Sequence, residues 1–409
     1  MIVQIKNTWA GIALLFSLVL GGMLSMVSTT AQATPAFARS TGAACNKCHS
    51  VSFPRLNEKG ERFMRNGFQM PGSSEEQAVT GIEGEDKSKD GEEKKKVADD
   101  LFLGRISEIF SVTGNLSLLE KTGDSNKKTI GQPTKLTLLA TGTIAKDVPI
   151  WAELEHSPDG VVEMDRYFIG KTNFNDTTLL NARVGSLDPT TWTSFYGNGA
   201  GIDSLVPKIA SYSNDGKDRG FTPVGSGYDP RSAIEYYGYN DQFIWAAALA
   251  NPKTDPDNKN KLDYWLMGRW DILKKNSVSL LYYDDRNTNV KMYTVAGNWR
   301  FDPVDVRAQY SRDNSGNDAH GNVTGFALQG DYKIQRGWMA MARFDRTDNG
   351  YSSSAIESQM TGGLVYAPYQ NIKLTAAYVK ELQKAGVEGA APVSSKKMDY
   401  ASVRLFFAF

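Results

Sequence analysis

An all-β fold, a transmembrane barrel of about sixteen antiparallel strands behind a small helical N-terminal segment, is what three features of this 409-residue sequence predict. From residue 101 onward apolar and polar residues alternate with a period of two. Long polar connections alternate with tight turns along the same stretch. The chain ends on an apolar, alternating strand whose last residue is Phe409.

The first element is an export signal, expected over residues 1–33. Lys6 precedes an apolar run from Ala10 to Val27, and Ala31-Gln32-Ala33 fits the small-residue cleavage pattern, so the mature chain is expected to start at Thr34. The run is long for a signal, and an uncleaved anchor is the alternative. No other segment approaches the roughly 20 consecutive apolar residues of a membrane helix, and the mean hydropathy is −0.40. If the exported chain crosses a membrane, it does so with strands.

The second element, residues 34–72, holds both cysteines of the chain. Two thiols exclude a disulfide framework and a four-cysteine iron–sulfur cluster. Cys45-Asn46-Lys47-Cys48-His49 is a C-x-x-C-H string. Two thiols one turn apart add across the vinyl groups of a haem, and the histidine that follows lies under the iron as proximal ligand. A thioredoxin-like pair would need a strand–helix context that residues 34–42 lack, and a zinc site would find three ligands packed too closely for a tetrahedron. The expectation is one covalent haem c held by Cys45, Cys48 and His49.

For the distal ligand the nearby methionines are the candidates, because His156 and His320 lie far downstream. Residues 54–68 read as a helix with Pro54 in its first turn and Leu56, Gly60, Phe63 and Gly67 on one stripe. Met64 sits beside that stripe, whereas Met70 follows the Gly67 turn and is placed to fold back over the iron. Met70 is the expected ligand; Met64, or packing roles for both, are the alternatives. A segment of about forty residues needs a staple, which haem supplies, and it covers a porphyrin only in part. The rest of the cover is expected from elsewhere in the chain.

Residues 73–100 carry almost no apolar side chain and mixed charge, the composition of a solvated, flexible link. The barrel follows over 101–409. Val304, Val306, Ala308 and Tyr310 alternate with Asp305, Arg307, Gln309 and Ser311. Phe326, Leu328, Tyr332 and Ile334 alternate with Ala327, Gln329, Asp331 and Lys333, and the stretch from Ile372 to Tyr378 does the same. Long or polar connections are expected at 121–133, 157–160, 188–229, 251–261, 285–289, 313–322, 348–353 and 382–395. Tighter turns are expected near Asp147, Asn175, Asn240, Lys274, Pro303, Arg336 and Pro368. Eight of one kind and seven of the other give sixteen strands with both ends on the short-turn, periplasmic side. The terminal strand, with Ala401, Val403, Leu405, Phe407 and Phe409 on one parity, resembles the C-terminal signature read by outer-membrane assembly machinery. A soluble β-sandwich is the alternative, but it requires neither the alternating loop lengths nor this terminus.

Charge excludes one class of partner. Lys plus Arg equal Asp plus Glu at 46 each, so no net field recruits nucleic acid. Glu153, Glu155, Glu163 and Asp165 share lumen-facing parity near one outer loop, and hard carboxylate oxygens suit Fe(II), although porin lumens are lined with charge in any case.

Thr34-Pro35-Ala36-Phe37-Ala38-Arg39, Thr41-Gly42, the Cys45–His49 motif and Phe53-Pro54-x-Leu56-Asn57-x-x-Gly60-x-x-Phe63 together resemble the N-terminus of the fused monohaem cytochrome-porins, which include outer-membrane iron oxidases of iron-oxidising bacteria. The likeness is close over residues 34–68 and one of architecture and length across the barrel. It implies electron uptake from extracellular Fe(II), delivery to a periplasmic c-type cytochrome or other carrier, and residence among the lipids of a Gram-negative outer membrane. The roles of Cys45, Cys48 and His49 carry over residue by residue; that of Met70 does not. The expected function is therefore an Fe(II)-oxidising outer-membrane cytochrome. The alternatives are a porin with a haem-bearing plug or sensor and a conduit for another donor.

Overall fold

The computed structural model describes residues 36–41, 43, 45–50, 55–70, 109–122, 128–129, 132–156, 160–195, 230–252, 261–272, 276–286, 290–314, 324–348, 356–369, 371–383 and 400–409. The expected signal at 1–33 and link at 73–100 lie outside the described residues, as do Pro54 and most of the long connections.

Among the described residues sixteen long strands form one antiparallel sheet that closes on itself. They are β1 (Phe110–Thr122), β2 (Gln132–Ala145, with Lys128–Thr129 as a separate short pairing ahead of it), β3 (Val148–His156), β4 (Val162–Lys171), β5 (Asn181–Leu187) and β6 (Arg231–Tyr239). β7 (Phe243–Ala250), β8 (Asp263–Ile272), β9 (Asn276–Asp285), β10 (Val290–Phe301) and β11 (Val304–Asn314) follow. The set ends with β12 (Thr324–Gln335), β13 (Trp338–Asp348), β14 (Ile356–Tyr369), β15 (Ile372–Gln383) and β16 (Tyr400–Ala408). Each strand pairs with its neighbour in sequence, and β1 pairs with both β2 and β16, bringing Thr113 opposite Ala408 and Leu116 opposite Leu405. Phe409 completes the seam by exchanging backbone hydrogen bonds with Val112, at 2.7 and 2.8 Å. A ring leaves no unpaired edge, which is the condition for strands to stand in hydrocarbon.

The period-two pattern works as expected, with the usual sense of inside and outside reversed. On β8 the outward Leu266 and Trp270 are 52% and 59% exposed, whereas the inward Arg269 and Asp271 are 5% and 8% exposed. Water would not tolerate such an apolar exterior over a whole sheet, and lipid requires it. The charged interior is buried because the lumen is filled. The described strands begin and end where the expected connections require, and the turn near Asn175 is longer than expected, spanning residues 172–180 with a short 3-10 turn, Phe174–Asp176. Asn173, Asn175 and Asp176 there adopt left-handed backbone, a conformation that short polar side chains tolerate.

Among the described residues two stretches of chain occupy the lumen. The segment after β5 crosses it: Ser194 N donates to Ser279 Oγ of β9 (2.9 Å), and Arg307 of β11 donates to the Phe195 carbonyl (3.3 Å). Arg307 and Arg343 also stand over the Phe195 ring, at 5.6 and 5.7 Å. The other stretch is the N-terminal segment, at the short-turn end. It carries α1 (Ala36–Thr41), a 3-10 turn (Cys45–Lys47) and α2 (Glu58–Arg65). The helix expected over 54–68 thus starts four residues late and ends three residues early. Asn57 caps it, its Oδ1 accepting from Gly60 N at 3.1 Å. Leu56 is not helical because it pairs with His49 in an antiparallel bridge.

Candidate functional site

The motif is a turn locked by its own backbone. Cys48 N and His49 N both donate to the Cys45 carbonyl, at 3.1 and 2.8 Å, so the two cysteines and the histidine lie on one tight turn. Ser50 N donates to Arg55 O (2.9 Å) and Asn57 N to Cys48 O (2.8 Å), which fold the chain back along the motif. Asn57 holds both halves, because its Nδ2 donates to Lys47 O (2.9 Å) and reaches His49 O (3.4 Å) while its Oδ1 caps α2.

Gly60 is where α2 crosses the motif. A Cβ at this position would overlap the Cys48 carbonyl, a backbone group that cannot swing aside. Gly60→Ala is therefore expected to push α2 off the motif and destabilise the segment by about 1–3 kcal/mol, the usual effect of overpacking. Haem stain per molecule on a denaturing gel and the melting temperature of the Soret band check this; wild-type values for both would contradict it.

At the other end of α2 the chain reverses. Gly67 and Phe68 take positive φ (66° and 64°), and Phe68 N donates back to Phe63 O at 2.9 Å, a helix-ending motif suited to glycine. Gly67 has a second reason to lack a side chain, since a Cβ would press on Thr172 and Pro149 of the barrel. The reversal places the Phe68 ring against Phe37 (4.9 Å) and Phe63 (6.0 Å), and against Trp151 (5.7 Å) and Phe168 (6.2 Å) of the barrel wall. The segment and the barrel wall thus share one aromatic cluster.

Buried charges fix the segment to the barrel. Arg55 meets Asp331 (3.0 Å) and Asp305 (3.2 Å) and donates to Asn298 Oδ1 (3.1 Å). Glu61 lies among three guanidinium groups: Arg269 at 2.6 Å, Arg65 at 3.1 Å and Arg300 at 3.2 Å. Arg65 continues to Asp271 at 2.8 Å. Burial alone would raise the Glu61 carboxyl, but the attraction of Arg269, Arg65 and Arg300 outweighs it and brings the pKa down to about 2. Uncharged contacts add Tyr237 OH to Arg65 O (3.3 Å), Tyr239 OH to Asn66 Oδ1 (3.1 Å) and Thr143 Oγ1 to Gly67 O (2.9 Å).

The expected site residues separate into two groups. Cys45, Cys48 and His49 come together on one turn. Both thiols are free of disulfide bonding and pushed up by burial, with Lys59 opposing the shift at Cys48. Met64 packs against the apolar cluster of the barrel interior. Met70 lies beyond the Gly67 reversal, half-buried. The chemistry of the donor set fits haem c, and the buried Gln69 Nε2, which has no hydrogen-bond partner among the described residues, is free to donate to a bound group.

Three of the four carboxylates considered for Fe(II) have basic or indole partners, and Glu163 is exposed. Glu155 pairs with Lys135, and Glu153 binds Trp151 Nε1 (2.6 Å) and Arg166 (3.5 Å). Asp165 lies 3.6 Å from Arg166 and 3.9 Å from Lys135. Among the described residues no three His, Cys, Asp or Glu side chains are grouped to hold a metal ion.

No family model matches the chain, and no curated protein matches it in sequence. Solved structures match its fold. An anion-selective porin from Comamonas acidovorans has 15% identity and a TM-score of 0.53, the match covering 73% of this chain and 99% of the porin. OmpF of Salmonella typhi, in complex with daunomycin, has 10% identity and a TM-score of 0.52, covering 73% and 97%. A loop-deletion mutant of OmpT, an outer-membrane protein of Vibrio cholerae, has 14% identity and a TM-score of 0.50, covering 73% and 99%. At these identities the likeness shows a porin-type outer-membrane barrel and nothing of the activity.

Proposed function

We propose that this chain is an outer-membrane cytochrome of a Gram-negative bacterium that accepts electrons from extracellular Fe(II) and delivers them to a periplasmic electron carrier. The observation that carries the proposal is the seating of a C-x-x-C-H turn inside a porin-type barrel, fixed there by the Arg55 and Glu61 ion networks. The resemblance of residues 34–68 to the fused cytochrome-porins supports it. Cys45 and Cys48 would hold one haem c through thioether bonds, and His49 and Met70 would supply the iron's protein ligands. Bound there, haem c supplies one-electron storage on its iron.

The chain's own residues divide the remaining work. The apolar exterior suits a hydrocarbon band roughly 25 Å tall, and the inward charges fix the segment at the short-turn end of the lumen. Phe37, Phe63, Phe68 and Trp151 pack the segment that carries the motif against the barrel wall. The segment at 188–195 closes the lumen further toward the long connections. Such a barrel lets an electron cross while the insoluble ferric product stays outside. A porin whose N-terminal segment is only a plug is the competing reading, since the porin fold alone favours it.

Mixing oxidised, haem-loaded protein with Fe(II) tests the proposal. The reduced haem spectrum is expected without a second protein. Protein that stays oxidised in excess Fe(II), at every pH where the reduction is thermodynamically allowed, would remove iron as the donor.

A further inference from the structure

We propose that Trp192 and Tyr237 form the electronic bridge between the long-connection end of the lumen and the segment that carries Cys45, Cys48 and His49. This inference rests on the electron-transfer reading above and assigns its route.

The geometry begins at the outer side. Tyr283 and Trp265 face each other near the long-connection ends of β9 and β8, their rings stacked at 6.4 Å. Trp265 Nε1 donates to Glu235 Oε2 (3.0 Å), and Trp192 Nε1 donates to Oε1 of the same carboxylate (2.9 Å). Trp192 stacks on Tyr237 at 4.8 Å, and Tyr237 OH donates to the Arg65 carbonyl of α2 at 3.3 Å. A second contact leads to the same segment: Arg183 stands over both Trp192 (4.9 Å) and Phe168 (5.5 Å), and Phe168 meets Phe68. Trp192, Tyr237, Glu235 and Trp265 are 2%, 3%, 0% and 0% exposed, so the line is dry.

Dryness and contact decide what such a line can carry. An electron needs only orbital overlap to pass along such a buried line. Overlap decays slowly through touching π systems and hydrogen bonds, and steeply through gaps. One electron is lost by Fe(II), giving Fe(III), and gained by the ferric iron of the segment. No bond forms or breaks and no proton moves, because the rings contribute overlap and are not themselves oxidised. Trp192 also belongs to the lumen-crossing stretch that follows β5, so the bridge joins that stretch to α2.

The test uses haem-loaded protein in liposomes with ferrous EDTA either outside the long-connection end or trapped on the short-turn side, orientation being scored by protease. Trp192→Leu and Tyr237→Leu are expected to slow reduction from the long-connection side by an order of magnitude or more. Reduction from the short-turn side, the haem spectrum and the midpoint potential should keep their wild-type values. Tyr237→Phe, which keeps the stacked ring and loses the contact with Arg65 O, guards against misfolding and should slow the same side by a smaller factor. Equal slowing from both sides, or a shifted potential, would mean a packing role and overturn the bridge. Unchanged rates from the long-connection side would overturn it too and leave the electron-transfer reading standing. Wild-type protein reduced from neither side would overturn both.

Discussion

Glu61→Ala will release the N-terminal segment from the barrel. In the native protein the Glu61 carboxylate, 7% exposed, answers Arg65, Arg269 and Arg300. Its removal leaves two buried guanidinium groups, Arg65 and Arg269, and the half-buried Arg300, with Asp271 as the nearby acid. Breaking a buried ion network by deleting one partner costs about 3–5 kcal/mol, because the charges left behind remain desolvated. That is a large share of what holds a segment of this size. Protease should cut the segment in the variant under conditions where the wild type is resistant, and ion current through a planar bilayer should rise. Glu61→Gln should behave similarly, since the amide keeps the shape and loses the charge.

The same carboxylate gives docking a pH dependence whose sign follows from its lowered pKa. The shift runs from the ordinary 4.5 to about 2. A depressed carboxylate contributes its stabilisation above its ordinary value and loses it as pH falls toward the native value. Resistance to protease should therefore hold at neutral pH and decline between about 4.5 and 2, and Glu61→Gln should flatten that decline. A wild-type profile with no change in this window would contradict the charge argument.

Replacing Cys45 and Cys48 by alanine will abolish covalently bound haem. The backbone bonds that gather the motif do not involve the thiols, so the turn should survive while its chemistry disappears. Haem stain at the mass of the protein is the readout, and its persistence would overturn the cofactor assignment. His49→Ala should leave attached haem that is not reduced normally, because the proximal ligand sets geometry and potential. The distal position separates by a parallel comparison. Met70→Ala should alter the spectrum and move the potential. Met64→Ala should chiefly lower stability, since Met64 packs against the apolar interior of the barrel. If the spectral change follows Met64 instead, Met70 is the wrong ligand.

The barrel was legible because its signals are local. Asp305, Arg307, Gln309 and Ser311 point inward and Val304, Val306, Ala308 and Tyr310 outward, and a period of two needs no knowledge of which strand lies alongside. Connection lengths are equally local, so the strand count followed. The motif was legible for the same reason. The boundaries of α2 were not, because Pro54 and Gly67 suggested a longer helix while the start is decided by Asn57 and by the pairing of Leu56 with His49.

The clamps were invisible in principle. Glu61 and Arg65, four apart on a short helix, have the pattern of a solvated face, and their partners Arg269 and Asp271 lie about two hundred residues away. Arg55 likewise precedes its acids by more than two hundred residues. Trp192, inside a stretch that reads as a long connection, carried one hint: an indole beside Leu187 and Phe195 is an unusual load for a solvated loop. The ion pairs of the carboxylates considered for Fe(II) were hidden in a related way. Parity placed Glu153, Glu155 and Asp165 correctly, but parity does not show that Lys135 and Arg166 share the same wall.

The most direct measurement puts the whole protein between two compartments. Liposomes bearing the haem-loaded chain would hold an oxidised soluble c-type cytochrome together with a colour indicator for ferrous ions, and Fe(II) would be added outside. An insulated electron conduit predicts that the trapped cytochrome becomes reduced while the indicator stays colourless, since electrons cross and iron does not. Coloured indicator with the cytochrome still oxidised would show an open porin, and would contradict the conduit outright.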